Sequence, residues 1–169
     1  MPEPLPPTTA AAIALGSNLS STFGDRSANL SEALRRVQAL GRLTAVSSFH
    51  DTDPVGYRNQ PRFLNAAALI ETRLSPQQLL AGLLSIELAM GRDRAASPPK
   101  GPRVIDLDLL FYGDEIITTP DLTLPHPSLH EREFVLAPLA EIAPTLEHPT
   151  LRRCIEDLLA EFPAAISAH

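Results

Sequence analysis

Strand-like and helix-like stretches alternate along this chain with antiparallel hairpins between them, a pattern that predicts an α+β fold of two layers, helices over a mostly antiparallel sheet. Two further observations support it. The chain has 169 residues, the size of one domain, and no internal repeat. Hydrophobic residues make up 44% and charged residues 20%, enough apolar material for a core and too little charge for a disordered chain.

The opening MPEPLPPTTA holds four prolines and no basic segment. Residues 1–9 are therefore expected to form an extended tail rather than a secretory signal, with a single domain over 10–169. Ala10 to Leu15 is an apolar run stopped by Gly16-Ser17-Asn18 and reads as a first, buried strand. Leu30, Ala33, Leu34, Val37 and Leu40 repeat at helical spacing, with Asp25 as N-cap and Gly41 just past the end. Leu43 to Thr52 and Phe63 to Thr72 read as strands that pair antiparallel across a polar loop. Ser75-Pro76-Gln77-Gln78 is a helix start with an N-cap, a proline at the first position and a capping box. That helix runs through Leu79, Leu83, Ile86 and Met90 to Gly91.

Arg92 to Pro102 is a loop of Arg, Ser, Pro and Gly, long enough to suggest function. Val104 to Tyr112 is the next strand, turned by Gly113-Asp114 into a shorter one at Glu115 to Thr118. The Pro-punctuated stretch 120–127 leads to a helix from Ser128 to Ile142 that Pro138 should disturb. Thr150 is expected to cap a last amphipathic helix reaching Glu161.

The net charge is −6, which argues against a broad basic surface for nucleic acid or anionic membrane, so any anionic ligand must meet a local basic cluster. Thirteen of the 14 basic residues are Arg; the one lysine is Lys100. A single cysteine, Cys154, excludes an internal disulfide framework, suits a reducing cytoplasm, and reads as a buried small side chain on the last helix. No segment is long and apolar enough to span a bilayer.

The sharpest local feature is Asp106-Leu107-Asp108. On a strand, residues two apart share a face at a spacing of about 6.5 Å, so the two carboxylates project together while Ile105, Leu107 and Leu109 face the core. Any half-exposed strand shows that alternation, but paired carboxylates become favourable when hard cations lie between them. Mg²⁺ prefers one or two carboxylates plus substrate phosphates. The flanking loop gathers Arg92, Arg94, Lys100 and Arg103, opposed by Asp93, and guanidinium forks suit phosphate oxygens. Together these describe a metal–nucleotide site. There is no P-loop and no Gly-x-Gly-x-x-Gly. Gly16-Ser17-Asn18 can offer amides to an anion but reads first as a tight turn. His126, held between Pro125 and Pro127 in a stiff exposed segment, can donate to phosphate, and Arg132 can reach the same site.

These residues resemble a known family, 6-hydroxymethyl-7,8-dihydropterin pyrophosphokinase of folate biosynthesis, over residues 10 to 150. The ordered elements are Ala14-Leu15-Gly16-Ser17-Asn18-Leu19, Phe63-Leu64-Asn65-Ala66-Ala67, Glu87 with Gly91-Arg92-Asp93-Arg94, then Gly101-Pro102-Arg103 with Asp106-Leu107-Asp108. Pro125-His126, Arg132 and Phe134-Val135-Leu136 complete the set. The resemblance implies a ferredoxin-like sandwich and a cytoplasmic, monomeric enzyme. Its reaction moves the β,γ-pyrophosphoryl group of ATP to the pterin hydroxymethyl and releases AMP. It implies two Mg²⁺ ions bridged by Asp106 and Asp108, and ATP as co-substrate. Arg92, Arg94, Asp106 and Asp108 fall at catalytic positions. Glu87, Arg92, Arg94, Lys100, Arg103, Leu109, Thr123, His126 and Arg132 fall at ATP positions. Thr52, Val55, Phe63, Asn65, Asp106 and Phe134 fall at pterin positions. A flat heterocycle fits between Phe63 and Phe134, with Asn65 serving its polar edge, although both rings would also suit a plain core.

The chain departs from the family pattern at Lys100, where Trp is common, at Leu84 for a polar residue, at Pro127 for an aromatic and at Asp53 for Pro. Altered affinity or loop motion is expected from these, with activity kept. The alternatives are a catalytically altered homologue, another Asp-x-Asp nucleotidyltransferase or hydrolase, and an RNA-binding α+β module. Aromatics at 5% disfavour the last, since RNA-binding sheets need clustered strand aromatics.

Overall fold

The computed structural model describes residues 7–53, 60–91 and 102–162. Strand β1 (Thr9–Ser17) leads to helix α1 (Arg26–Val37), then β2 (Arg42–Val46), β3 (His50–Thr52), β4 (Phe63–Thr72), helix α2 (Pro76–Ala89) and β5 (Asp106–Tyr112). The sheet order is β2-β4-β1-β5 with β3 also on β4, every pairing antiparallel. With β2 and β3 counted as one interrupted strand, this is the βαββαβ ferredoxin-like arrangement. Beyond it lie β6 (Ile117–Thr118), β7 (Thr123–Leu124), helix α3 (Glu133–Ile142), β8 (Glu147–His148), β9 (Arg153–Cys154) and helix α4 (Ile155–Ala160).

Local chemistry explains both helices of the frame. Asp25 caps α1 by accepting the Ala28 N–H at 2.9 Å. At α2 the capping box is complete: Ser75 Oγ accepts the Gln78 N–H, and Gln78 Oε1 accepts the Ser75 N–H. Gly91 follows that helix at φ 98°, a conformation glycine takes without strain.

Period-two alternation divides the core. Ile13 and Leu15 of β1, Ala66, Ala68 and Ile70 of β4, and Leu107 and Leu109 of β5 pack against Leu30, Ala33 and Val37 of α1 and Leu79, Leu83 and Ile86 of α2. Each fully buried leucine there contributes about 1.5–3 kcal/mol. Ala12, Ala67, Leu110 and Phe111 face the other way, onto Val135, Leu136 and Leu139 of α3 and Ile155 and Leu158 of α4. The α+β prediction holds, but a third layer, α3 with α4, covers the face that a two-layer reading leaves to solvent. A register shift against β1 leaves Leu110 as an extra residue in β5, so Leu110 and Phe111 both point to this second core.

Other expectations are corrected. The strand begun at Leu43 breaks between β2 and β3, where Ser47 Oγ accepts the Ala67 N–H. Glu141 of α3 fastens this break, accepting from Ser48 N at 2.6 Å and Ser48 Oγ at 2.7 Å and contacting His50 Nε2 at 2.9 Å. Gly16-Ser17-Asn18 does not end β1 in a turn, because the strand pairs on both sides through Gly16. The segment after Gly113 pairs with β7, inside the stretch read as irregular. The helix expected from Ser128 is split at Arg132, whose extended backbone (φ −121°, ψ 97°) separates a 3₁₀ turn, Leu129–Glu131, from α3; Pro138 lies inside α3 without breaking it. Thr150 caps no helix. It lies in the β8–β9 turn, where His148 Nδ1 accepts the Thr150 and Leu151 N–H groups, and the helix starts only at Ile155. Cys154 is therefore not a core side chain; it sits half-buried ahead of α4 with Sγ 3.1 Å from Asp157 Oδ2.

Candidate active site

The α3-facing side of the sheet is uncovered at one end, and a row of residues crosses three strands there. Asn65 of β4 is the register partner of Gly16 of β1, which is in turn the partner of Asp106 of β5. Ala14, two residues before Gly16, partners Asp108. Alternation thus brings the polar groups of Asn65, Asp106 and Asp108 to one face, and Gly16, lacking a side chain, leaves a floor between them.

Walls rise from neighbouring segments. The cleft is lined by Thr52, Asp53, Phe63, Asn65, Arg103, Asp106, Asp108, Arg132 and Phe134, with Ala14, Leu15, Gly16, Ala66 and Val135. Asn65 Nδ2 donates to Thr52 Oγ1 at 2.5 Å. The threonine hydroxyl proton is then available to a ligand, and so is Asn65 Oδ1 as an acceptor. Arg103 Nη1 lies 3.1 Å from Asp106 Oδ2, and its guanidinium carbon is 5.8 Å from the centroid of the Phe63 ring. Arg132 stands at the same distance over Phe134. Each aromatic wall therefore carries a cation over its ring.

Of the residues singled out from sequence, the structure gathers Thr52, Phe63, Asn65, Arg103, Asp106, Asp108, Arg132 and Phe134 around this cleft. Four others do not line it. Glu87 is 2% exposed on α2, and its Oε2 accepts the Leu107 N–H at 2.7 Å, bracing β5 between the two aspartates. Leu109 packs in the α1/α2 core. Thr123 is exposed on β7. His126 is half-buried rather than exposed. Burial and then the Arg132 charge push its pKa down, opposed by Asp106. Its Nδ1 accepts the Ser128 N–H at 3.2 Å, so the neutral ring keeps its proton on Nε2. Arg92, Arg94, Lys100 and Val55 lie outside the described residues.

Sequence reasoning passed over Gly16 as a floor and Asp53 as a wall. From sequence, Asp53 stands out only as a departure from the family pattern. It pairs with Arg62, which also donates to Asp51 Oδ1 at 3.0 Å, while Arg26 grips the Asp51 carboxylate through both terminal nitrogens at 3.2 and 3.1 Å. Hydrogen bonds from both arginines hold the Asp51 carboxyl below its usual range.

The donor set suits a hard cation. Two half-exposed carboxylates share one face of one strand, and no third His, Cys, Asp or Glu joins them among the described residues, whose one metal-competent cluster is Cys154, Glu156 and Asp157. Two carboxylates leave most of an octahedron to phosphate oxygens and water, which is how Mg²⁺ is held beside nucleotides. No helix of the described residues is long and apolar enough to cross a membrane.

Comparison with known proteins gives consistent results. The family model described as 7,8-dihydro-6-hydroxymethylpterin-pyrophosphokinase (HPPK) matches residues 12–144. The Bacillus subtilis protein named 2-amino-4-hydroxy-6-hydroxymethyldihydropteridine pyrophosphokinase is 48% identical over 137 residues, 80% of this chain and 78% of that protein. The Haemophilus influenzae protein of the same name is 44% identical over 152 residues, covering 89% and 91%. The chain also matches Folic acid synthesis protein fol1 of Schizosaccharomyces pombe at 40% identity, with 90% of this chain covered but only 20% of that protein. A crystal structure of Plasmodium falciparum HPPK-DHPS with pteroate superposes at a TM-score of 0.72 over 95% of this chain and 43% of that one. At 16% identity, that structure speaks for the fold alone.

Proposed function

The chain belongs to the 7,8-dihydro-6-hydroxymethylpterin-pyrophosphokinase family, and on that premise we propose that it transfers the pyrophosphoryl group of ATP to the primary hydroxyl of 6-hydroxymethyl-7,8-dihydropterin and releases AMP. The observation that carries this reading is the Asn65–Gly16–Asp106 row, a flat floor between two phenylalanines with acid on one side and amide on the other.

The pterin lies over Gly16, its faces against Phe63 and Phe134. Its N–H edge donates to Asn65 Oδ1, and its acceptors take the Thr52 hydroxyl. This orients the hydroxymethyl group toward Asp106. Arg103 and Arg132 hold the triphosphate by charge-assisted hydrogen bonds, and neutral His126 donates through Nε2 without adding positive charge. Holding hydroxyl and β-phosphorus in line converts a bimolecular displacement into an oriented one, which is where most of the acceleration originates in phosphoryl-transfer sites. Arg92 and Arg94 complete the catalytic set with Asp106 and Asp108, Lys100 joins the phosphate ligands and Val55 the pterin wall. Glu87, Leu109 and Thr123 are carried over from the family resemblance as nucleotide-side positions. Asp106 and Asp108 would hold Mg²⁺, two ions in all, which supplies charge neutralisation and orientation of the phosphates when bound.

We further propose that residues 10–169 act as one domain, monomeric and cytoplasmic, the lone Cys154 suiting a reducing compartment. Mixing the protein with ATP, Mg²⁺ and the reduced pterin should produce AMP in proportion to pterin consumed. AMP formed without pterin, or phosphate released in its place, would refute the assignment.

A further inference from the structure

We propose that Asn18 is a positioning residue that fixes the pterin side of the cleft relative to the phosphate side while touching neither substrate, a role that rests on the function proposed above. It follows β1 directly, is 2% exposed and does not line the cleft. Its Oδ1 accepts the Arg103 N–H at 2.8 Å, and its own N–H donates to the Arg103 carbonyl at 3.1 Å. In the other direction Nδ2 donates to Gln60 Oε1 at 2.8 Å and to the Pro61 carbonyl at 3.0 Å.

The orientation of the amide is dictated by its partners. A backbone N–H can only donate and a proline carbonyl can only accept, so oxygen must face Arg103 and nitrogen must face Pro61. Both amide protons are therefore committed. One small side chain ties together segments 42 and 85 residues away in sequence. Each has a direct claim on the site. Two residues beyond Pro61 stands Phe63, one aromatic wall, and Arg103 itself pairs with Asp106. No alternative side chain reproduces this. Asp keeps an acceptor for Arg103 but turns an oxygen toward the Pro61 carbonyl, Ala loses every polar contact, Ser has a single shorter hydroxyl in place of two N–H donors and an acceptor, and Gln is one methylene too long.

The substitutions therefore separate the two sides. Asn18→Asp should raise the KM for pterin about tenfold while leaving the KM for ATP within about twofold, and Asn18→Ala should raise both. Loss of fold stability alone would move the two constants together. Asn18→Ser is the substitute if the alanine variant does not fold. Equal changes of both constants in Asn18→Asp, or no change in either, would overturn the proposal. Amide hydrogen exchange tests it without reference to turnover. Asn18→Asp should speed exchange in the peptide over 60–66 and spare that over 103–107, whereas Asn18→Ala should speed both. Identical responses to the two variants would count against the assignment even if the wild-type protein proved to act on another substrate. Failure of wild-type protein to consume the pterin would instead strike the functional reading.

Discussion

A methyl group added to the floor of the cleft separates substrate recognition from folding. A Cβ at Gly16 would stand 3.1 Å from Asn65 Oδ1 and 3.8 Å from Phe63 Cδ1. The first contact is tight, so Asn65 must retreat by a few tenths of an ångström while its Nδ2 stays tethered to Thr52. Against that cost, replacing glycine stiffens the unfolded chain, worth about 0.4–1 kcal/mol in favour of folding. The two effects nearly cancel, and Gly16→Ala should keep its melting temperature within about 4 °C of wild type. A bound ring has no such latitude, because the methyl projects into the space that the ring's edge must fill between Phe63 and Phe134. Overpacking of this kind costs about 1–3 kcal/mol, a loss of about 5- to 150-fold in pterin affinity. Steady-state AMP release at saturating ATP, with pterin varied, reads that loss as KM, and a thermal melt reads stability. An unchanged pterin KM would remove Gly16 from the binding floor, and a melting temperature lowered by about 10 °C or more would show that the methyl disrupts the strand instead.

Asp106→Asn and Asp108→Asn should each lower turnover by at least about a hundredfold, since even outer partners of metal ligands cost 10- to 100-fold when removed. Wild-type rates at ordinary Mg²⁺ would refute the metal assignment. Stability should fall in two stages on acidification. His126 and His148 both have pKa values pushed below 6.5, mainly by burial, so the unfolded chain binds their protons first. Their contribution is complete above about pH 6.5 and is lost as pH falls below it. Glu141, lowered to about 2 from 4.5 chiefly by its bonds to Ser48 and His50, contributes above pH 4.5 and loses that contribution as pH falls toward 2. Urea midpoints that stay flat from pH 7 to 5 would contradict the first stage. Ser75→Ala removes one half of the α2 capping box and should lower stability by about 1 kcal/mol, roughly 2–4 °C, with kinetic constants unchanged. A larger kinetic than thermal effect would mean that α2 does more than support the sheet.

What the sequence made legible was local. The cap of α2 involves residues three apart, and the shared face of Asp106 and Asp108 follows from strand period alone, so both were visible in the one-dimensional pattern. Thr150 misled because its surroundings resemble a helix start, while the Arg152 N–H it would have capped donates to the His148 carbonyl across the β8–β9 turn. The layer formed by α3 and α4 was invisible for another reason. Apolar spacing shows that a helix has a buried face but not which side of a sheet receives it. The same limit hid the floor of the site. Gly16 followed by polar residues looks like a strand end, and only pairing with β4 and β5 makes it the centre of a row. Asn18 belongs to a stretch the sequence singles out, but its tie between Arg103 and Pro61 is invisible there, because its partners are defined by the closed fold.

The strand that lies near the middle of the sheet is also the first of that sheet's strands to be synthesised. β1 emerges with both edges unpaired, meets β4 only after some fifty residues, and waits for β5 until nearly a hundred have followed. At about 5–20 residues per second the second edge stays open for roughly 5–20 s of translation. During that interval an apolar run, Ala10 to Leu15, offers ladder groups to any passing strand. The same pairing that builds the catalytic floor thus leaves the nascent chain dependent on protection, and chains interrupted between β4 and β5 should be the ones that aggregate.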